Sequence, residues 1–141
     1  MFRKEFMATL QPTITDQRVS TSFEQYCNGV GFSPLFLTGD ALTLLGQLPD
    51  ATVDCIMTSP PYWGQRDYGS GGIGLEQTWQ EYVSNLVEIC GQLKRILKPT
   101  GSFWLNIGDA YQDKNLLGLP WRVCFSLTDQ QGGLTHKWWA P

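Results

Sequence analysis

From Pro34 onward, short apolar runs alternate with stretches of helical spacing, and this alternation restricts the fold more than any other feature. Leu35-Phe36-Leu37-Thr38 is an apolar run closed by Gly39-Asp40, the pattern of a strand followed by a turn. Asp40 stands where a helix is capped, and Leu42, Leu45 and Leu48 follow at helical intervals, predicting a helix over Ala41–Leu48. Val53–Thr58 predicts a second strand, apolar enough to lie buried in a parallel sheet. Thr78 and Glu81 have the spacing of a capping box, and Tyr82, Leu86, Ile89, Cys90, Leu93, Ile96 and Leu97 form an apolar stripe behind it. A helix is expected over Trp79–Leu97, with Lys94, Arg95 and Lys98 as a solvated basic end and Pro99-Thr100-Gly101 as its stop. Ser102–Ile107 reads as a third strand and Pro120–Thr128 as a further helix. Strands and helices in this order predict an α/β fold, a partial open parallel sheet with right-handed crossovers and helices on both faces.

A chain of 141 residues suggests one domain, and 42% hydrophobic residues suffice for a core. The net charge of −3 tells against a grip on nucleic acid spread over the whole surface. Any such contact must come from local groups or from another part of an assembly. Cys27, Cys55, Cys90 and Cys124 are far apart in sequence and His136 is the single histidine, so no metal site is expected. The cysteines sit in apolar surroundings and read as small core residues of a protein from a reducing compartment. Neither a signal peptide nor a membrane span is recognisable, which predicts a soluble, cytoplasmic protein. Residues 1–33 form an extension without a clear pattern: Thr13–Ser22 is polar and aperiodic, and Asn28-Gly29-Val30-Gly31 reads as a loop.

The chemistry concentrates in Asp54-Cys55-Ile56-Met57-Thr58-Ser59-Pro60-Pro61-Tyr62-Trp63. Functional loops of open parallel sheets lie beyond the carboxyl ends of strands, and Ser59 falls at such an end. Each proline fixes its own φ, lacks an N–H and pushes the preceding residue toward an extended shape. The result is a stiff segment offering the Ser59 hydroxyl and the Pro60 carbonyl as acceptors beside the rings of Tyr62 and Trp63. That array suits a planar amine. The nitrogen lone pair of an aromatic amine is delocalised into its ring, and two acceptors on its hydrogens return electron density to nitrogen. An adjacent ring can stack on a base swung out of a duplex. As an isolated tetrapeptide, Ser-Pro-Pro-Tyr reads equally as a turn or a proline-rich ligand segment; its position after a strand is what favours chemistry.

These motifs together resemble the DNA amino-methyltransferases, which modify cytosine N4 or adenine N6 with S-adenosylmethionine. The matching stretches are Leu37–Leu42, Leu48-Pro49-Asp50, Val53–Tyr68, Ile73–Gln77, Leu97–Gly101, Trp104–Asp109 and Leu117–Arg122, spread over Leu35 to about Gln131. The resemblance implies a Rossmann-like S-adenosylmethionine-dependent methyltransferase fold. Its catalytic part is then 34–131, flanked by the 1–33 extension and a divergent tail, 132–141. It also implies a modification enzyme of a restriction-modification system acting on double-stranded DNA. Ser59-Pro60-Pro61-Tyr62 becomes the catalytic loop, with Tyr62 and Trp63 on the target DNA. Asp40 and Ser59 are placed at the methyl donor. Asp40 is equally a helix N-cap, a role it can hold at the same time. Arg66 is read two ways, as a phosphate contact or as an ion pair with Asp67 or Glu76. Trp104 and Trp121 are expected in the core, and Asn106 and Asp109 are candidates for the donor pocket.

Ser in the first position of the loop favours cytosine, with adenine N6 as the alternative. Carbon-5 methylation would want an activated cysteine, and Cys55, placed inside a buried strand, is a poor one. The glycine-rich Phe-x-Gly-x-Gly donor motif is not found: Asn28-Gly29-Val30-Gly31-Phe32 lies on the wrong side of the loop. The expectation is therefore a chain that is either inactive or needs another chain or a missing C-terminal region to complete its sheet. The other class of reading is a non-catalytic DNA-binding or interaction remnant of the same fold. An amine methyltransferase acting on RNA or protein fits the cytosine-like loop less well.

Overall fold

The computed structural model describes residues 19–29, 34–65, 67 and 72–129. The chain divides into two units, Met1–Pro49 and Asp50–Pro141.

The first unit contains helix α1, Val19–Asn28, and helix α2, Ala41–Gly46. α1 occupies a stretch whose composition had suggested no helix. α2 starts where expected: Asp40 is extended (φ −65°, ψ 133°), and its carboxylate accepts from the Thr43 backbone N–H. The strand expected at Leu35–Thr38 is not formed; residues 34–38 carry no ladder pairing, and Phe36 is 59% exposed. An apolar run becomes a strand only when a neighbour takes its N–H and C=O groups, and no described segment does so here.

In the second unit, strand β1, Val53–Thr58, pairs in parallel with strand β2, Leu97–Leu105. Between them runs helix α3, Trp79–Ile96, started by the complete Thr78/Glu81 capping box and ended by Lys94 and Arg95 in its last turn. The lysine and arginine end is tied to the strand entry: Arg95 pairs with Asp50, and Lys98 with Asp54 at 2.8 Å. β2 begins earlier than expected, so Pro99 and Thr100 lie inside it. The ladder accommodates them at an irregularity, where β1 advances from Val53 to Cys55 while β2 advances from Leu97 to Ser102. A proline without an N–H is tolerated at such a place. A short antiparallel hairpin follows, strand β3 (Tyr111–Gln112) and strand β4 (Asn115–Leu116), turning through Asp113 and Lys114, both at positive φ. Helix α4, Leu119–Asp129, completes the unit.

The core lies where α3 meets α4. Tyr82, Val83, Leu86 and Cys90 from α3 pack with Leu119 and Val123 from α4, and Phe103, Leu105 and Ile107 close over them. Burial of side chains of this size contributes about 1.5–3 kcal/mol each. Arg122 adds a tie between the helices, its guanidinium lying 4.0 Å from the Trp79 ring centre.

Several burial expectations need correction. β1 is not a buried strand: Asp54, Cys55 and Met57 are exposed. Of the cysteines only Cys90 is buried; Cys124 is half-buried, and Cys27 and Cys55 are exposed. Trp104 and Trp121 are 50% and 59% exposed and so are not core residues. The cause is common to Cys55, Met57 and Trp104. They occupy the sheet face turned away from α3 and α4, and apolar composition does not reveal which face is covered.

Candidate active site

β1 ends at Thr58, so Ser59 is the first residue beyond the strand, and the Asn106 N–H extends the ladder by bonding the Thr58 carbonyl at 2.9 Å. This ladder bond brings the segment after β2 alongside the segment after β1. The contact is closest at Gly108: a Cβ there would stand 2.7 Å from the Tyr62 ring. Only glycine lets the ring lie against this backbone.

Ser59, Pro60, Pro61, Tyr62 and Trp63 form one loop. The Ser59 hydroxyl is exposed and lies 3.2 Å from the Tyr62 hydroxyl, in a bond either can donate. Among the described residues no hydrogen bond reaches the Pro60 carbonyl. The Pro61 carbonyl, by contrast, accepts from the Tyr82 hydroxyl at 3.1 Å. Trp63 is half-buried, packs against the core cluster and donates its indole N–H to the Glu76 carbonyl at 3.0 Å. The Gly64 N–H bonds the Gly74 carbonyl at 2.9 Å. Gly74 is at φ 98°, and a Cβ there would come within 3.1 Å of Pro61, so this returning turn also needs glycine.

Glu76 organises that return. Its carboxylate accepts from the Gly74 N–H at 2.8 Å and from the Asn85 side-chain amide at 3.1 Å. Burial, assisted by the charge of Glu76, pushes the Tyr82 hydroxyl up to about 12, so it stays a neutral donor. The Cys90 thiol is pushed up to about 11 by burial.

Asp109 takes a structural role: one carboxylate oxygen accepts from the N–H groups of Ala110 at 2.8 Å and Leu119 at 2.9 Å, anchoring the start of α4. Its carbonyl also accepts from the Gln65 side chain at 3.4 Å. Asn106 is exposed, with its backbone N–H in the ladder. Asp40 belongs to the first unit. One of its carboxylate oxygens takes both the N–H and the hydroxyl of Thr43 at 2.9 Å. These two bonds hold its carboxyl below the usual range, the backbone N–H contributing most. Arg66 and residues 130–141 lie outside the described residues, as do Val30, Gly31 and Phe32 of the glycine-containing stretch near the start.

Sequence reasoning missed Gly74, Glu76, Tyr82, Asn85 and Gly108 as parts of this site. Tyr82 had been placed only on the apolar stripe. Its hydroxyl was the available signal, because a buried tyrosine usually finds a hydrogen-bond partner. Among the described residues no group of three or more histidine, cysteine or acidic side chains is arranged to hold a metal, and no helix is long and apolar enough to cross a membrane.

A family model described as DNA methylase matches residues 53–139. The chain is 40% identical over 121 residues to the type II methyltransferase M.XycI of Xanthomonas campestris pv. cyanopsidis, covering 64% of this chain and 40% of that protein. It is 45% identical over 92 residues to the type II methyltransferase M.MwoI of Methanothermobacter wolfeii, covering 62% of this chain and 14% of that one. Among solved structures, the PvuII DNA methyltransferase (cytosine-N4-specific) superposes with a TM-score of 0.55 at 30% identity, over 67% of this chain and 33% of that chain. The α/β arrangement with its parallel strand pair is thus the methyltransferase fold, and the chain spans well under half the length of these relatives.

Proposed function

Because the chain belongs to the DNA methylase family, we propose that it supplies the catalytic loop of a DNA amino-methyltransferase that methylates the exocyclic N4 of cytosine in double-stranded DNA. The observation that carries this reading is the acceptor pair: the exposed Ser59 hydroxyl and the Pro60 carbonyl, unbonded among the described residues, beside a ring held against Gly108. Both acceptors draw on the hydrogens of a target amine and raise the electron density on its nitrogen. Preorganised groups of this kind stabilise the charge that develops in the transition state. Tyr62 supplies the face for a flipped base, and stacking of that type contributes about 1–3 kcal/mol. Trp63, with its indole N–H already used, anchors the loop rather than reading the base.

S-adenosylmethionine, when bound, supplies an electrophilic methyl group on a sulfonium. Asp40 is kept as the candidate residue for this donor on the family resemblance, its carboxylate held by the N–H and hydroxyl of Thr43. Cysteine chemistry is not invoked. Cys55 is exposed, contrary to expectation, but its thiol is engaged by the Ser102 hydroxyl at 3.4 Å and lies on the sheet face turned away from the core. In this reading 34–131 is the catalytic part, and a further segment, from another chain or from more C-terminal sequence, completes the sheet and the donor site. The protein then works in the cytoplasm as the modification partner of a restriction system. Support for cytosine over adenine comes from Ser59 opening the loop and from the cytosine-N4 specificity printed for the structural neighbour.

The test is product analysis. The chain is incubated with isotope-labelled S-adenosylmethionine and DNA, alone and mixed with the unmatched remainder of M.XycI. Labelled N4-methylcytosine is expected from the mixture. Labelled N6-methyladenine replaces the proposed base with the alternative one, and no labelled nucleoside in either arm contradicts an enzymatic role.

A further inference from the structure

The two prolines of the loop are chemically alike, yet their carbonyls are treated differently. Pro61 has its carbonyl bonded to Tyr82, a side chain with 0% exposure on the core face of α3. Pro60 has no such partner among the described residues. Because neither proline has an N–H, the loop is short of donors with which to fix its own carbonyls, and an outside donor decides which of the two is engaged. We propose that Tyr82 is a positioning residue for the loop: its hydroxyl takes the Pro61 carbonyl inward and leaves the Pro60 carbonyl as the acceptor for the target amine. The inference rests on the proposed function and adds the residue that sorts the two acceptors.

Three independent features support this assignment. Tyr82 is surrounded by Leu86, Cys90, Leu119 and Val123, so its ring has no freedom to follow a moving loop. A buried hydroxyl without its partner carries a desolvation penalty, which binds Tyr82 and Pro61 to each other. The far side of the loop is held separately, through Trp63 to the Glu76 carbonyl and Gly64 to the Gly74 carbonyl. Loss of the Tyr82 bond therefore loosens the prolines without releasing the whole loop.

The experiment compares the wild-type chain, Tyr82→Phe and Val83→Ala, the last a core change on α3 that touches no loop atom in the hydrogen-bond network. Amide exchange is followed at Tyr62, the first N–H after the prolines, and at Gln65, whose N–H bonds the Tyr62 carbonyl, with the separately held Gly64 as the reference, and methyl transfer is followed in the mixture with the remainder of M.XycI. Tyr82→Phe is expected to speed loop exchange about fivefold, the equivalent of one lost hydrogen bond, and to lower kcat by a similar factor with KM for the donor unchanged. Val83→Ala is expected to leave loop exchange at the wild-type rate. Unchanged loop exchange in Tyr82→Phe overturns the proposal, as does an unchanged kcat, or equal loosening by Val83→Ala. Faster loop exchange in Tyr82→Phe alone, with no methyl transfer even by wild type, upholds the clamp and removes the functional reading instead.

Discussion

The two faces of the β1–β2 sheet are built from similar residues and meet different fates. On one face Phe103 and Leu105 pack against the cluster of Tyr82, Leu86, Leu119 and Val123. On the other, Met57 stands opposite Trp104 and Cys55 opposite Ser102, with Met57 79% and Trp104 50% exposed. A strand apolar on both sides is the composition of a sheet covered twice. Here the covered side holds the loop from Ser59 to Trp63 in place, through Tyr82 and Trp63, while the open face contributes side chains whose apolar area gains little from folding. The difference teaches that the loop's geometry depends on half of the sheet's environment, the half that this chain supplies by itself.

The sharpest way to break this contrast is to remove comparable side chains from the two faces. Leu86→Ala should cost about 2–5 kcal/mol, the range for a buried leucine, read by urea unfolding followed by tryptophan fluorescence. A small change there would mean that the core is not where the chain's stability resides. Gly108→Ala comes next. Its Cβ meets the Tyr62 ring, and overpacking of this kind costs about 1–3 kcal/mol. It should also separate Tyr62 from Ser59, seen as a changed Tyr62 ring resonance by NMR; an unchanged resonance would show that the ring is not held there.

Alkaline pH sharpens the comparison without a large structural change. Cys90 is raised to about 11 and Tyr82 to about 12 in the folded chain, so both stay protonated after their unfolded counterparts ionise. The unfolded state then binds fewer protons, and stability is lost as pH rises from the unfolded values toward the folded ones. Cys90→Ala should flatten the fall between pH 9 and about 11, measured as the urea midpoint against pH. The smallest effect is expected at Met57→Ala, within about 0.5 kcal/mol of wild type; a loss of several times that would mean that the open face is covered in solution.

Much of this arrangement was legible before any coordinates. The capping box at Thr78 and Glu81, the apolar stripe through Tyr82, Leu86 and Cys90, and the loop beginning at Ser59 all follow from local spacing, which helix and strand geometry enforce residue by residue. What escaped is non-local. The strand expected at Leu35–Thr38 depends on a pairing partner, and the exposure of Cys55, Met57 and Trp104 depends on which face is covered. Spacing determines neither. The hairpin through Asp113 and Lys114 was missed because its strands are only two residues long and its turn lacks glycine, the usual residue at positive φ. The role of Tyr82 was hidden because its hydroxyl reaches Pro61, distant in sequence, and that of Glu76 because its carbonyl is met by Trp63 from the loop before it.

The most direct measurement of the central claim is the single-turnover rate of methyl transfer to DNA by Ser59→Ala, in the mixture completed with the remainder of M.XycI, beside calorimetric binding of S-adenosylmethionine. If the Ser59 hydroxyl is an acceptor for the target amine, the rate should fall about 10²-fold, the scale for loss of one preorganised polar group, while donor affinity stays near wild type. Transfer by Ser59→Ala at the wild-type rate would contradict the account.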